Sequence, residues 1–473
     1  MRAYVIADNA NSIFEIPVLL VNDGHPPLWH ILLFLVNTLV KSPVTLQLTA
    51  IPISVLSVFL FIKYSPFPNF IKILFIFGII PFYEYTVFSR NYGISMLLMI
   101  VATILITNKK TQPLLFYIIL SLLALTNIHS LFLCPFFVLL YLINDTNKKN
   151  HRFWVYHSLG LIVLIVSAIY SAHIALPNED SFYGSGFPKL TELFNAGLQQ
   201  VLIFGEGFRY IFLGNHPILQ LLTFWFLALS LLRKPVLTLA FVIVMVGFGV
   251  FFNIGYPSWL RHEGIFYVFA VMLFWLLFSN KFNGRYSFKK IDNQYIRLAS
   301  MAVFTALLLL QVKYAVDASL TVLKAPVSSN KEFARFINKN PEFKNAIFVG
   351  EPEIIMESIP YYIDNKIYFS REKRFGRRAN YTTARNPAIT LSDIINDARY
   401  LNKTHKETPV LILMGWIIDN NTKPDIIYTG FGLHKSFELD SCGLQNFFEH
   451  TIFLKSFRGS LTGEDYDVYL FID

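Results

Sequence analysis

The chain has 473 residues, of which 54% are hydrophobic and only 15% charged, and its mean hydropathy is +0.48. Soluble domains carry nearer a quarter charged residues, so a water-soluble globular enzyme is excluded as the reading of the whole chain. The net charge of +9 acquires meaning only by position, because Lys and Arg placement orients membrane helices.

The first 24 residues lack a basic stretch followed by an apolar core, so no cleavable signal is read there. They form a half-polar segment in which Ile13, Phe14, Ile16, Val18 and Leu19 are interrupted by Asp8, Glu15 and Pro17. Residues 1–25 are therefore expected to be an interfacial outer-loop segment. Apolar runs of roughly 15 to 22 residues follow, the length a helix needs to cross a bilayer. About eleven are counted, near 26–41, 45–62, 70–88, 91–107, 113–127, 129–143, 154–176, 216–232, 235–253, 263–278 and 296–314. The expected fold is a polytopic α-helical membrane protein, with a helical domain over 26–315 and a soluble α/β domain over 325–473.

Basic residues orient the later helices. Loops at 108–112, 144–152, 233–234 and 279–297 hold twelve Lys and Arg against two acidic residues, while 127–130, 177–215 and 253–264 hold three. The first set is expected in the cytoplasm and the second outside. The C-terminal domain then lies outside. The same alternation fails before residue 90, and the prolines of "YSPFPNF" and Pro81 point to a broken or re-entrant piece there.

Ionisable residues at membrane depth are costly and usually functional. "VNDGHPPLWH" sets Asp23 and His25 at the mouth of a helix that Pro26 and Pro27 start. "FSRNYG" carries Arg90 and Tyr92, "TNIHSLF" carries His129, and "SWLRHEG" carries Arg261, His262 and Glu263. Each has a plainer reading: a capped helix entry, a snorkelling arginine, a hydrogen-bonded turn histidine, a helix start. Together they describe an outer-face cavity in which Arg and His hold a phosphate and a carboxylate acts as base.

In the tail, "NAIFVG" and "PVLILMG" read as buried strands, 330–340 and 391–403 as helices, and "HTIFLKSF" and "YDVYLFID" as late strands. The basic run "REKRFGRR" at 371–378 reads as a solvated loop or a contact for anionic headgroups or glycans. Cys134 and Cys442 are not expected to pair. No nucleotide-binding glycine motif occurs.

"DGHPPLWHILLFLV", "FSRNYGISMLLMI", "TNIHSLFL" and "LRHEGIFYVFAVMLFW" resemble, in that order, bacterial membrane glycosyltransferases of the GT-C fold. These are related to the protein O-mannosyltransferases and the aminoarabinose lipid A transferases. The resemblance covers about residues 1–315. It implies transfer of a sugar from a polyprenyl-phosphate donor to a glycan, lipid or protein acceptor on the outer face of the bacterial inner membrane. It also implies a first membrane helix and an acidic pair upstream of Met1, about 50 further residues, enough for one span of about 20 residues and its flanking segments. On this reading Asp23 is the substitute catalytic carboxylate. Arg90 and Arg261 hold donor phosphate, and His25, Tyr92, His129 and His262 bind phosphate or acceptor. Partners are the lipid-linked sugar, the acceptor and membrane lipids, with no nucleic acid. No cofactor is indicated, and a divalent metal remains open. A non-catalytic membrane component, flippase-like or an assembly protein, and a surface-polysaccharide polymerase remain alternatives.

Overall fold

The structure is a computed structural model that describes residues 1–108, 113–144, 151–176, 191, 195, 211, 217–254, 258–282, 294–380, 382–429 and 435–472. Its chain divides into two compact units. One gathers Ala10–Leu176 and Gly186–Ser319, the other Met1–Asn9 and Leu320 onward. The stretch 1–25, expected to be an interfacial outer-loop segment, contributes to both units, with the division after Asn9.

The larger unit is helical. Helices α2 (Ile16–Leu19), α3 (Leu28–Val40), α4 (Thr45–Tyr64) and α5 (Asn69–Ile76) precede a π-helix, Ile79–Val87. Then come α6 (Tyr92–Thr107), α7 (Pro113–Ala124), α8 (Ile128–Asn144) and α9 (His151–Ala175). The series closes with α10 (Pro217–Leu231), α11 (Pro235–Ile254), α12 (Leu260–Phe278) and α13 (Gln294–Lys324).

Each apolar run becomes helical, but among the described residues fewer than eleven of these helices have the length and composition of a full span. Among the described residues, five helices are long and apolar enough to cross a bilayer: Thr45–Tyr64, Phe153–Ala175, Pro235–Asn253, Leu260–Phe278 and Leu298–Lys324. A sixth crossing exists if α5 and the π-helix, bent by 42° at their junction, form one span. The remaining apolar helices run 10–17 residues. At about 1.5 Å per residue, the 13 residues of α3 cover about two-thirds of the hydrocarbon thickness. The break expected before residue 90 lies at Phe77–Gly78, where Gly78 is extended (φ −66°, ψ 155°).

Helix α12 is the buried axis of this unit, with every side chain from His262 to Leu277 buried. Its flanks are aromatic: Trp275 meets Phe61, and Phe274 stacks on Phe304 at 4.5 Å. Helix α9 instead exposes Leu159, Ile162, Val166 and Ile169, a stripe suited to lipid contact because its backbone polar groups are satisfied within the helix.

In the smaller unit, β1 (Ile347–Glu351), β2 (Ile367–Phe369), β3 (Arg374–Gly376), β5 (Val410–Met414), β8 (Thr451–Phe457) and β9 (Tyr466–Phe471) form one sheet. Its order is β3-β2-β1-β5-β9-β8. β1 runs parallel to β2 and β5, while the remaining pairs are antiparallel. Strands β1 and β5 are buried along their whole length, as continuous apolar runs in parallel sheets are. One face packs α15 (Leu391–Thr404) through Ile394, Ile395 and Leu401. The other packs α14 (Asn330–Lys339) through Phe333 and Ile337. A second sheet joins β4 (Ala388–Thr390), β7 (Lys435–Leu439) and β6 (Asp425–Thr429), next to α16 (Ser441–His450). That sheet was not expected from sequence.

Helix α1 (Arg2–Asn9) belongs to this unit and buries Tyr4, Val5, Ile6 and Ala7. Arg2 bonds Glu357 at 3.0 Å and the Ala379 carbonyl at 2.8 Å. Asp8 receives Arg377 at 2.6 Å. The basic run is therefore largely engaged within the domain. Arg371 is fully buried against Glu351 (2.6 Å), Lys373 meets Asp397 and Arg374 meets Glu372. The expectation of a solvated basic loop fails at Arg371, which Glu351 from twenty residues earlier helps to bury, whereas the Lys373 and Arg374 side chains stay partly exposed beside their carboxylates. Cys134 is buried and Cys442 exposed, both as free thiols.

Candidate functional site

The polar residues at the helix mouths of the larger unit come together through three elements. The first is α3. Pro27 caps it, and the preceding turn reverses through Asn22 (φ 62°) and Gly24 (φ 75°). Asp23 and His25 sit in that turn. His25 Nδ1 lies 2.8 Å from the Asp23 carbonyl and 3.9 Å from its carboxylate. The His25 ring is exposed, whereas the Asp23 side chain is only 6% exposed.

The second element is the α7–α8 turn, held to the start of α6 by a buried polar network. Ser95 on α6 donates to Thr126 Oγ1 (2.8 Å) and accepts from Asn127 Nδ2 (2.8 Å) and Ser130 Oγ (2.9 Å). Asn91 Nδ2 donates to the Thr126 carbonyl at 2.8 Å. Asn127 Oδ1 accepts the Ser130 N–H at 2.8 Å. This network fixes His129, in the first turn of α8, relative to Arg90 and Tyr92, which flank Asn91. Fully satisfied polar networks of this kind rigidify a core.

The third element is the start of α12. His262 Nδ1 accepts the Trp259 N–H at 3.2 Å, closing the first turn. Its neutral ring then carries its proton on Nε2. The His262 ring stacks on His129 at 5.0 Å and 11°, and it meets Tyr92 at 5.6 Å. His129 is enclosed by Phe248, Phe251 and Phe252 of α11. Neither of its ring nitrogens has a hydrogen-bond partner among the described residues. The Arg261 guanidinium lies over Trp259 at 5.3 Å, and its Nε is buried without a hydrogen bond among the described residues. Glu263 faces elsewhere: Ser258 Oγ and the Ile211 N–H donate to it at 2.8 and 3.1 Å.

Electrostatic interactions complete the grouping. His129 feels His25 and Arg261, and His262 feels His129, Arg261, His25 and Arg90. Arg90, Tyr92, His129, Arg261 and His262 are thus brought together, with His25 in reach. Asp23 is tied to them through His25.

Sequence reasoning missed Glu84. It sits on the π-helix within electrostatic reach of both Arg261 and Arg90. Its neighbour Tyr85 explains the placement. The Tyr85 hydroxyl donates to the Arg261 carbonyl at 2.8 Å, its ring stacks on Tyr92, and its own carbonyl accepts Ser54 Oγ at 3.0 Å. Two glycines make room. A Cβ on Gly93 would meet the Tyr85 carbonyl oxygen at 2.8 Å, and one on Gly264 would meet the Tyr85 hydroxyl at 2.6 Å. These are the glycines that end Arg-Asn-Tyr-Gly and Arg-His-Glu-Gly, a signal that could have pointed here.

Two guanidiniums, a pair of stacked imidazoles and a carboxylate at helix mouths can bind an anion and move a proton beside it. Among the described residues no three His, Cys, Asp or Glu side chains are grouped to share a metal ion. No protein-family model, no curated protein and no solved structure matches the chain.

Proposed function

We propose that the chain is a multi-pass membrane glycosyltransferase that takes a sugar from a polyprenyl-phosphate donor at the outer face of a bacterial inner membrane. The acceptor is a glycan, lipid or protein of the cell envelope, and the C-terminal α/β domain lies on the same, extracytoplasmic side. The observation that carries the reading is the meeting of Arg90, Arg261, His129 and His262 at the start of α6, α8 and α12. Their residue types match a lipid phosphate at the membrane surface. Planar guanidiniums bind phosphate oxygens in pairs, and adjacent imidazoles supply further donors. In the transfer, the acceptor hydroxyl oxygen bonds to the anomeric carbon. The bond from that carbon to the phosphate oxygen breaks, and the phosphate leaves on its lipid.

The test is release of polyprenyl phosphate by the purified full-length chain given a panel of lipid-linked sugars. Release that depends on Arg90 and Arg261 supports the reading. Silence with every donor sinks it and favours a non-catalytic envelope component.

A further inference from the structure

We propose that Glu84, and not Asp23, is the carboxylate that takes the acceptor's proton; this rests on the glycosyl-transfer reading above. Glu84 lies within reach of both arginines that would grip the donor phosphate. It is carried on a nine-residue π-helix, a conformation concentrated at functional sites. The π-type spacing is visible in the bonds: Thr86 Oγ1 donates to the Pro81 carbonyl at 2.7 Å and the Phe88 N–H to the Tyr83 carbonyl at 3.4 Å. The adjacent Tyr85 is clamped by Ser54, Tyr92 and the Arg261 carbonyl, so the Glu84 backbone is fixed against the residue that bears one guanidinium. Asp23 instead has a nearly buried side chain, set beside His25 in the turn before α3.

Charge accounting supports the same assignment. Arg90, Arg261 and ionised Glu84 sum to one positive charge. A phosphodiester donor brings one negative charge, and the loaded site is neutral. During transfer the hydroxyl proton passes to the Glu84 carboxylate, and the electron pair of the breaking carbon–oxygen bond stays with the phosphate. Glu84 is then uncharged, and a phosphomonoester dianion faces two guanidiniums. The site is balanced before and after the step, so neither state leaves an unpaired charge at membrane depth.

The experiment uses the full chain in nanodiscs with a polyprenyl-phosphate sugar, following polyprenyl phosphate release. Glu84→Gln is expected to lower kcat by about 10²- to 10⁴-fold, the usual worth of a general base. The donor KM should change far less, because the interaction is made in the transition state. Glu84→Asp should recover part of the rate. The loss should exceed that of Asp23→Asn by roughly tenfold or more. An active wild type whose Glu84→Gln variant turns over normally overturns the assignment and leaves the transfer reading standing. A wild type that releases nothing overturns both. Glu84→Gln and Glu84→Asp both failing to give a cooperative thermal transition would make the carboxylate structural and overturn the assignment as well.

Discussion

The hydroxyl of Tyr85 donates a 2.8 Å hydrogen bond to the main-chain carbonyl of Arg261. One bond thereby links the π-helix to the first turn of the most buried helix, and it brings Glu84 and Arg261 into one neighbourhood. The fit is tight on both sides of the ring. Ile80 as well as the tyrosine hydroxyl would be struck by a side chain at Gly264, at 2.9 and 2.6 Å.

Gly264→Ala is therefore expected to destabilise the chain by about 1–3 kcal/mol, the usual range for overpacking. Removing the hydroxyl should relieve part of the clash. Tyr85→Phe alone loses about 1 kcal/mol of hydrogen bonding, and the double variant should be less destabilised than the sum of the singles. Thermal melts of the four proteins in one detergent measure this. Strict additivity would contradict the packing argument.

Ser95 holds the His129 turn through Thr126, Asn127 and Ser130. Ser95→Ala leaves several buried groups without that partner and should cost about 1–3 kcal/mol. Its transfer rate should fall with stability corrected for, because His129 and Arg90 lose their common anchor. Ser95→Thr, which keeps the hydroxyl, should fall less. The check is rate and melting temperature measured on the same preparations.

Arg371 is enclosed in the α/β unit and bonds Glu351 along with the carbonyls of Pro387 (2.8 Å) and Ser436 (3.1 Å). Arg371→Met strands the Glu351 charge and should cost about 3–5 kcal/mol. Arg371→Lys should also be destabilising, since a point charge cannot reproduce the forked contacts. Limited proteolysis of the full chain should show earlier cleavage near residues 371–386 in both variants.

Asp440 caps α16. Burial raises its pKa, but hydrogen bonds from the Ser392 hydroxyl and N–H and from the Gly443 N–H outweigh burial, and the carboxyl is held below its ordinary 3.8. A folded-state pKa below the unfolded one gives stability that is present above the unfolded value and lost as pH falls through the folded value. Asp440→Ala should cost about 1 kcal/mol at neutral pH, as lost caps do. Between pH 5 and pH 3 the wild type should lose more melting temperature than Asp440→Asn.

Much of this architecture is legible in the sequence because it rests on local pattern. The stretches "AIFVG" and "VLILM" show their burial as runs without a charge. The prolines near residues 66–81 mark the stretch where the helix is broken, at Phe77–Gly78. What stays hidden depends on partners far along the chain. Glu84 sits among aromatic residues with no adjacent charge, and only folding brings Arg261, far along the chain, within its electrostatic reach. Arg371 reads as part of a surface run, although Glu351, twenty residues earlier, buries it. Span number escaped as well, since an apolar run shows where a helix can form and not where its first and last turns are bonded.

The proposed convergence of Arg90 and Arg261 on one anion is tested most directly by a double-mutant cycle on donor binding. Arg90→Gln, Arg261→Gln and the double variant, each in nanodiscs, would be titrated with undecaprenyl phosphate. If both guanidiniums hold one phosphate, the losses should be coupled by about 0.5–3 kcal/mol. Additive losses, or binding unchanged in either single variant, would contradict a shared phosphate site.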